Sequence, residues 1–202
     1  MTTVTLSNLK TEQILKIPYT ENVKIENKTF TGYYEYLEII NSYFAKCDFT
    51  KATFQGIDIT NSKFESSNFS NQSFTNRSFQ TIEFKNCNFI GIDFSDSYLE
   101  NVTFTNCNLT YSNFSNCHIN TIEFTNSNLE NSSFNEIKWK NLIFEDCNLD
   151  NTEFIKTTLK NLDVSTCSIN NLGIDISKLK GLIVSSEQAL ILSTILGIKI
   201  KY

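Results

Sequence analysis

Large apolar side chains recur at every fifth position along most of the chain. The series starts at Ile39, continues through residues such as Phe89, Phe94 and Leu99, and ends at Ile174 without a missed step. Because 40% of the residues are apolar, chance would produce so long a run with a probability of roughly 10^-11. This period of five is the main structural signal in the sequence.

A second track of inward side chains precedes the first by two residues. Its members are mostly small or β-branched, as at Cys87, Ile92 and Val102. In an extended segment, residues two apart point to the same side of the chain. We therefore expect both tracks to face one interior, with the polar residue between them, such as Asn88 or Asp93, facing water.

Neither an α-helix nor a straight strand explains a period of five. Five residues of an α-helix turn roughly 140° beyond a full circle, and an odd step along a strand alternates faces. A turn within every pentad removes this conflict. Four such sides close a square coil of about 20 residues, and successive coils stack through parallel backbone hydrogen bonds about 4.8 Å apart. The pattern predicts an all-β fold, a right-handed quadrilateral parallel β-helix of about seven coils.

The pentads share one formula, which is a small residue, Asn or Asp, Leu or Phe, a polar residue and a turn residue. "CNFIG", "SNFSN", "CNLTY" and "SNLEN" are examples. In this formula the chain resembles the pentapeptide-repeat family over about residues 37–176. The family often has Gly at the fifth position, where this chain mostly has Asn, which also suits turns and tolerates left-handed backbone geometry. The resemblance implies the same β-helix.

The two ends of the chain differ from the middle. Residues 1–33 have no period of five, and we expect them to form an N-terminal cap with a short helix at "TEQILK". Residues 34–176 form the predicted β-helix. Residues 177–202 are expected to form a C-terminal cap with a strand, a helix and a last strand, where Ser185 and Gln188 make a capping box at the start of the helix.

The C-terminal helix is apolar nearly all round, so one side can cover the last coil while another remains exposed. One interpretation is a simple cap. The interpretation that we favour is a homodimer formed through the outer face of the helix. The candidate interface residues are Leu190, Ile191, Leu192, Ile195 and Leu196.

Two long polar residues, Gln72 and Arg77, fall on the inward track. A charge that faced a narrow core without a partner would be costly. Either residues 70–81 bulge outward as a loop, or these two side chains escape at a distorted corner of the coil.

The cysteines also follow the repeat, because all six fall on the small inward track. We expect them to be buried, reduced core residues. The spacing gives no CxxC pair, and His118 is the only histidine, so no metal site is predicted. No motif of a nucleophile, a phosphate-binding loop or a metalloenzyme occurs. The sequence therefore predicts a protein that is not an enzyme and that needs no cofactor.

The charge balance restricts the kind of partner. The chain has 22 acidic and 17 basic residues, a net charge of -5, which argues against binding free nucleic acid or an anionic membrane and favours a protein with a basic surface. No apolar run approaches a membrane span, and the N-terminus lacks the zones of a signal peptide. Our expectation is a cytoplasmic protein.

The acidic residues stand out between Asn86 and Ile137, where the sequence has no Lys or Arg. This acidic waist spans about 12 Å of the predicted axis, over which duplex DNA presents about seven phosphates. Acids on the surface of a rod can also serve only to keep it soluble and to prevent edge association. The residues of the acidic waist are Asp93, Asp96, Glu100, Glu123, Glu130 and Glu136.

The resemblance gives the waist a function. In the pentapeptide-repeat family, the Qnr group of quinolone-resistance proteins imitates duplex DNA and binds DNA gyrase or topoisomerase IV. The resemblance implies a dimeric DNA mimic that binds a type II topoisomerase and protects it from quinolones or gyrase toxins. Lys138, Lys140, Lys156 and Lys160 make the C-terminal part less acidic than a mimic should be. The alternative is a scaffolding solenoid that binds another protein.

Overall fold

Each pentad forms one side of a square coil, with its large and small apolar residues turned inward. The computed structural model describes residues 4–12, 15, 18–199 and 201. It is a right-handed parallel β-helix of about eight turns with one C-terminal helix, so the predicted fold class is confirmed. The four faces of the coil are named here by central residues that they contain: the first face by Leu99 and Ile119, the second by Phe104 and Phe124, the third by Leu109 and Leu129, and the fourth by Phe114 and Phe134.

The strands are longest where the first face continues into the second. Each strand there pairs in parallel with its equivalent one coil away, so that Phe84, Phe104, Phe124 and Phe144 lie in register. The third and fourth faces are joined mostly by single bridges, such as Asn88 to Asn108. The strands are β1 (Lys10–Thr11), β2 (Tyr19–Glu21), β3 (Val23–Glu26), β4 (Thr29–Tyr34), β5 (Leu37–Ile40), β6 (Tyr43–Ala45), β7 (Asp48–Phe54), β8 (Ile57–Glu65), β9 (Ser78–Lys85), β10 (Tyr98–Thr105), β11 (His118–Thr125), β12 (Lys138–Glu145), β13 (Glu153–Phe154) and β14 (Gly173–Ile174).

The core is a column of aromatic rings. On the second face the rings of successive coils stack nearly parallel, with centroids 4.9–5.2 Å apart from Phe44 to Phe144. Rings on different faces meet edge to face, as Phe84 and Phe89 do on adjacent faces at 4.9 Å and Phe104 and Phe114 do on opposite faces at 6.3 Å. Both arrangements are favourable for aromatic pairs. The spacing of the coils therefore suits both the backbone hydrogen bonds and the rings.

Asparagine has two structural roles in the coil. At the fifth position of the pentad it adopts left-handed geometry, with φ of 60° at Asn116 and 59° at Asn131. At the second position its side chain closes an Asx turn, because Asn113 Oδ1 accepts a hydrogen bond of 3.0 Å from the backbone N–H of Ser115. These two roles account for the abundance of Asn in the repeat.

The β-helix begins earlier than the predicted boundary at residue 34. Ile25 and Phe30 are buried in the same core, and β4 runs across the boundary to pair with β7. These early coils are one residue shorter than four pentads, as the pairing of Ile25 with Phe44 shows, so the period of five is lost there. This is why the sequence predicts about seven coils rather than eight. Of the expected helix at residues 11–16, Thr11 lies in β1, and three of the six residues lie outside the described part of the chain.

Of the two alternatives for residues 70–81, the structure excludes the loop. Phe74 and Phe79 remain buried in the core, and the coil stays in register with its neighbours. Gln72 stays inside because its Nε2 donates to the backbone oxygen of Ala52 at 3.3 Å. The side chain of Arg77 leaves the core at a corner of the coil, which is the other alternative. There its guanidinium donates to the backbone oxygen of Gln55 at 3.0 Å.

The path of Arg77 depends on a glycine in the coil below. A Cβ atom at Gly56 would lie 2.9 Å from the guanidinium carbon of Arg77. The absence of a side chain at this position therefore makes room for the arginine to cross the corner. The sequence analysis left the choice between loop and corner open because it considered the inward track alone and not the residue on the neighbouring coil.

The C-terminal cap is the helix α1 (Ser186–Ile195), which follows a short 3-10 helix at Ile176–Lys178. The capping box is confirmed, since Ser185 Oγ accepts from the backbone N–H of Gln188 and Gln188 Oε1 accepts from that of Ser185. Gln188 Nε2 also donates to the backbone oxygens of Val164 and Cys167 at 2.7 and 2.6 Å. The helix is thus fixed to the last coils by side-chain hydrogen bonds. No strand follows it at Ile198 or Lys199, and the remainder of the expected last strand lies partly outside the described residues.

All six cysteines are free and buried, as expected. Five of the six thiols, all except that of Cys167, donate to backbone oxygens of the coil, as Cys117 Sγ does to Phe94 O at 3.1 Å. Burial raises the pKa of Cys117 to about 12. A thiol in this state is a poor nucleophile near neutral pH, because the thiolate is the reactive form.

We predict that Phe104→Ala destabilises the protein by about 3–5 kcal/mol, because it opens a cavity in the ring column. Urea denaturation would measure the change in the free energy of unfolding. Tyr98→Ala is the control, since Tyr98 is 40% exposed and should shift the free energy by no more than about 0.5 kcal/mol. A loss below about 1 kcal/mol at Phe104 would contradict a core held together by this column.

We predict that iodoacetamide at about pH 8 leaves Cys117 unmodified in the folded protein and modifies it after denaturation in urea. The thiolate fraction of Cys117 rises only as the pH approaches its raised pKa, and the side chain is 0% exposed. Peptide mapping by mass spectrometry would identify the modified residue. Equal alkylation rates in the folded and denatured protein would refute the buried placement.

Candidate functional site

The structure distributes the acidic waist over all four faces. Asp93 lies on the fourth face, and Asp96 lies at the corner where the fourth face meets the first. Glu100 follows on the first face, within the same coil. These three side chains, which lie along two adjoining faces of one coil, are called the acidic corner below. The coil repeat places Glu136 above Asp96, two coils further along the same corner.

The other two acids of the waist lie elsewhere. Glu123 belongs to β11 on the second face, where its Oε1 accepts from Thr125 Oγ1 at 3.3 Å. Glu130 lies on the third face. The six predicted residues therefore do not form one patch, because a run of sequence that is longer than one coil necessarily passes around the whole circumference.

The turn geometry explains how Asp93 and Asp96 fit the coil. Asp93 Oδ1 accepts from the backbone N–H of Ser95 at 2.9 Å, the same Asx turn that Asn113 makes one coil later. Asp96 has φ of 61°, close to the 60° of Asn116 at the equivalent position. Asparagine serves both positions in the neighbouring coil. The turn at Asp93 needs only a side-chain oxygen, and the turn at Asp96 needs only left-handed backbone geometry. Neither turn requires the negative charge of the aspartate.

Glu100 is held in place by its neighbours on the first face. Its Oε1 accepts from Asn120 Nδ2 at 2.7 Å, and its Oε2 accepts from the Tyr98 hydroxyl at 3.0 Å. The bond to Glu100 raises the pKa of the Tyr98 hydroxyl. Tyr98 and Asn120 therefore orient the carboxylate while leaving it on the surface.

The negative charge of Glu136 is partly neutralised by a neighbouring lysine, unlike the charges of the acidic corner, which have no ion pair among the described residues. Its Oε1 lies 2.9 Å from Lys156 Nζ of the next coil, and both side chains are more than half exposed. This bond raises the pKa of Lys156. The ion pair marks the upper limit of the acidic surface, because lysines follow it on the first face.

Of the five predicted dimer residues, two face the coil, two are exposed, and Ile191 is partly exposed. Leu192 is buried against the last coil and Ile195 packs against the core, so their placement on the outer face of the helix is wrong. Leu190 and Leu196 are 47% and 48% exposed. Because the helix begins at Ser186, Leu192 lies on the side that faces the last coil. Leu190 and Leu196 lie on other sides of the helix and are exposed to solvent.

One feature was missed by the sequence analysis, which treated Trp139 as another step of the repeat. Trp139 is only partly buried, and it lies beside a cleft of about 1100 Å³ that Lys138, Lys140, Lys156 and Lys160 also line. The signal was present in the sequence. The only tryptophan and four lysines fall within two successive turns of the first face and the corner before it.

Among residues 4–12, 15, 18–199 and 201, no group of three or more His, Cys, Asp or Glu side chains could hold a metal ion. Within that same part of the chain, no helix is long and apolar enough to cross a membrane.

Solved structures with a similar fold include two trypsin-treated variants of QnrB1, a plasmid-mediated fluoroquinolone resistance protein. One is 22% identical and has a TM-score of 0.55, with 89% of this chain and 90% of that chain covered. The other is 21% identical and has a TM-score of 0.51, with 98% of both chains covered. At this identity, the likeness concerns the fold.

Sequence comparisons give the family. No curated protein matches the chain. The family model described as pentapeptide repeat region matches residues 77–154, and the model described as pentapeptide repeats (8 copies) matches residues 39–65. Together these segments make up just over half of the chain, and they lie within the regular coils. The chain belongs to the pentapeptide-repeat family.

Proposed function

We propose that this protein is a non-enzymatic DNA mimic that binds a type II topoisomerase, DNA gyrase or topoisomerase IV, and protects it from quinolones or gyrase toxins. The observation that carries the proposal is the acidic corner, which lies on a rigid rod in a section without Lys or Arg from residue 86 to residue 137. A basic DNA-binding surface would attract such a section.

The geometry of the rod supports an edge-on contact. The charges of Asp93, Asp96 and Glu100 lie in one coil, and that of Glu136 lies about 10 Å further along the axis at the usual strand spacing. Glu123 and Glu130 point to other faces. A basic groove that receives one edge of the rod would therefore contact the acidic corner, and the other two acids would add only long-range attraction.

The similarity to QnrB1 gives the proposal a second support. That protein confers fluoroquinolone resistance, and its fold matches this chain over nearly the whole length. A rod of the same architecture can present acids to the same kind of surface. The contact residues have to be argued from this chain, since the identity is 22%.

The proposal includes a homodimer formed through α1. Leu190 and Leu196 expose apolar surface at the end of the rod, where a two-fold axis would bury both against their copies. Such a dimer would double the length of the rod. The buried Leu192 would serve the cap and not the interface.

We predict that the purified protein, at micromolar concentration, inhibits supercoiling by DNA gyrase or relieves its inhibition by ciprofloxacin. Competition with DNA for the basic surface is the physical reason. A gel assay of plasmid supercoiling, with and without the drug, measures both effects. If neither occurs with gyrase or with topoisomerase IV, the DNA-mimic proposal fails and the scaffolding alternative takes its place.

We predict that Asp93→Asn, Asp96→Asn and Glu100→Gln together weaken gyrase binding about tenfold or more at low salt. The neighbouring coils carry Asn113, Asn116 and Gln80 at the equivalent positions, so these changes remove charge and keep the turn chemistry. The melting temperature should stay within a few degrees of the wild type.

The matched control removes three charges from the N-terminal coils, through Glu21→Gln, Glu38→Gln and Asp48→Asn. Asp48 makes the same Asx turn as Asn68 of the next coil, so this change is also conservative. An equal loss of affinity in both variants would mean that net charge alone drives binding. Unchanged affinity in the first variant would exclude the acidic corner.

We predict that Leu190→Ser with Leu196→Ser converts the dimer into a monomer, because the change removes exposed apolar surface from the interface. Light scattering after gel filtration measures the mass. Leu192→Ser is the contrasting variant, which should lower the melting temperature since Leu192 packs on the last coil. A wild-type monomer at high micromolar concentration would refute the dimer.

A further inference from the structure

The hydrogen-bonded sheet of the first and second faces stops at β12, although the coil does not. β12 is the last strand of that sheet, and it pairs only with β11 among the residues that the structure describes. On the other two faces the next coil is still bonded, by Leu149 N to Ser168 O and by Gly173 N to Thr152 O, both at 2.8 Å. The coils have therefore separated on one side of the rod only.

Trp139 lies at one end of the separation and bridges it with its side chain. One coil later, the backbone N–H of Leu159 at the equivalent position donates to Lys178 O. At Trp139 the indole Nε1–H donates instead to Thr158 O, at 2.9 Å. The indole thus takes the carbonyl that the backbone would use, and it stands between β12 and the coil above.

The other end of β12 is also bridged by a side chain. The backbone N–H of Asp146 donates to Thr166 Oγ1 at 3.0 Å, whereas one coil earlier the N–H of Asn126 donates to the backbone oxygen of Glu145. Between these two side-chain bridges, the edge of β12 faces an open groove. It consists of a cleft of about 1100 Å³ and a hollow of about 310 Å³ that share Leu142, Ile143 and Asn161.

The groove combines three features that suit an extended peptide. An unpaired strand edge offers backbone donors and acceptors to another chain. Ile143, which is 43% exposed, gives apolar contact. The first-face end is basic, since Lys138, Lys140 and Lys160 line it without an ion pair among the described residues, and Lys156 next to them is paired with Glu136.

The charges along the groove favour an acidic peptide over a nucleic acid. Glu145 and Asp163 line the hollow on the second face, and the whole chain carries a net charge of -5. A continuous polyanion would be repelled at that end. A peptide can place carboxylates only at the lysine end and neutral residues at the other.

We propose that the groove between β12 and the coil above it binds an extended acidic segment of a partner protein, which adds to the open edge of β12 as a strand and places its carboxylates against Lys138, Lys140 and Lys160. The lysines of the site lie two to three coils beyond the acidic corner, on the first face that Glu100 also occupies. The site does not depend on the proposed topoisomerase function.

Trp139 is the only tryptophan, so its fluorescence reports directly on the groove. The probe is a blocked synthetic peptide of the same length as β12, with glutamate and valine alternating, titrated into the full chain at low salt. We expect a saturable change in Trp139 emission. We also expect slower hydrogen exchange at the amides of β12, which a purely electrostatic contact would not produce.

Two comparisons separate strand addition from charge attraction. The same peptide with alternate backbone nitrogens methylated keeps its charge but cannot form the ladder, and it should bind at least about tenfold more weakly. Lys138→Glu with Lys160→Glu should weaken the unmodified peptide by a similar factor. Lys51→Glu, an exposed lysine on the third face, is the control and should have little effect.

Several outcomes would overturn the inference. Equal binding of the methylated peptide would show that no strand is added, and unchanged binding to the lysine variant would exclude the groove. Tighter binding of a single-stranded oligothymidylate than of the peptide would assign the groove to nucleic acid. The variant with a neutralised acidic corner should bind the peptide normally, which keeps this test distinct from that of the topoisomerase proposal.

Discussion

The structure depends on the burial of a large apolar ring or branched chain at every fifth residue. On the second face, each buried ring from Phe64 to Phe144 stacks on the ring of the coil below at about the separation that parallel backbone hydrogen bonds require. The two interactions therefore reinforce each other along the axis. Apart from the small inward residue two positions earlier, every other position of the pentad faces outward or turns a corner. The surface can therefore vary without cost to the core.

This separation of core and surface explains how much the sequence could predict. The series of Phe and Leu residues determines the inward track, so the fold class, the buried cysteines and the asparagine turns follow from the spacing alone. The beginning of the β-helix did not follow, because the coils with Ile25 and Phe30 are one residue shorter than those of the regular repeat. This small change in coil length hides the pattern while preserving the stack.

The errors on the surface have a different origin. Gln72 and Arg77 depend on Ala52 and Gln55, which lie on the neighbouring coil and are therefore distant in sequence. The acids of the waist are close in sequence, yet they surround the rod. In a solenoid, neighbours on the surface are a full coil apart along the chain, so a patch has to be sought along a column of equivalent positions. Such a reading places Asp96 and Glu136 together and gathers the four lysines beside Trp139.

The indole of Trp139, which stands between β12 and the next coil, also affects how cooperatively the rod unfolds. In a solenoid, stability is approximately the sum of the coils and of the contacts between neighbours. The missing ladder above β12 weakens one such contact, because the turns beyond it are joined to the body by backbone bonds on two faces and by side-chain bridges on the other two. A hinge at this level would let one end of an otherwise stiff rod bend toward what it binds.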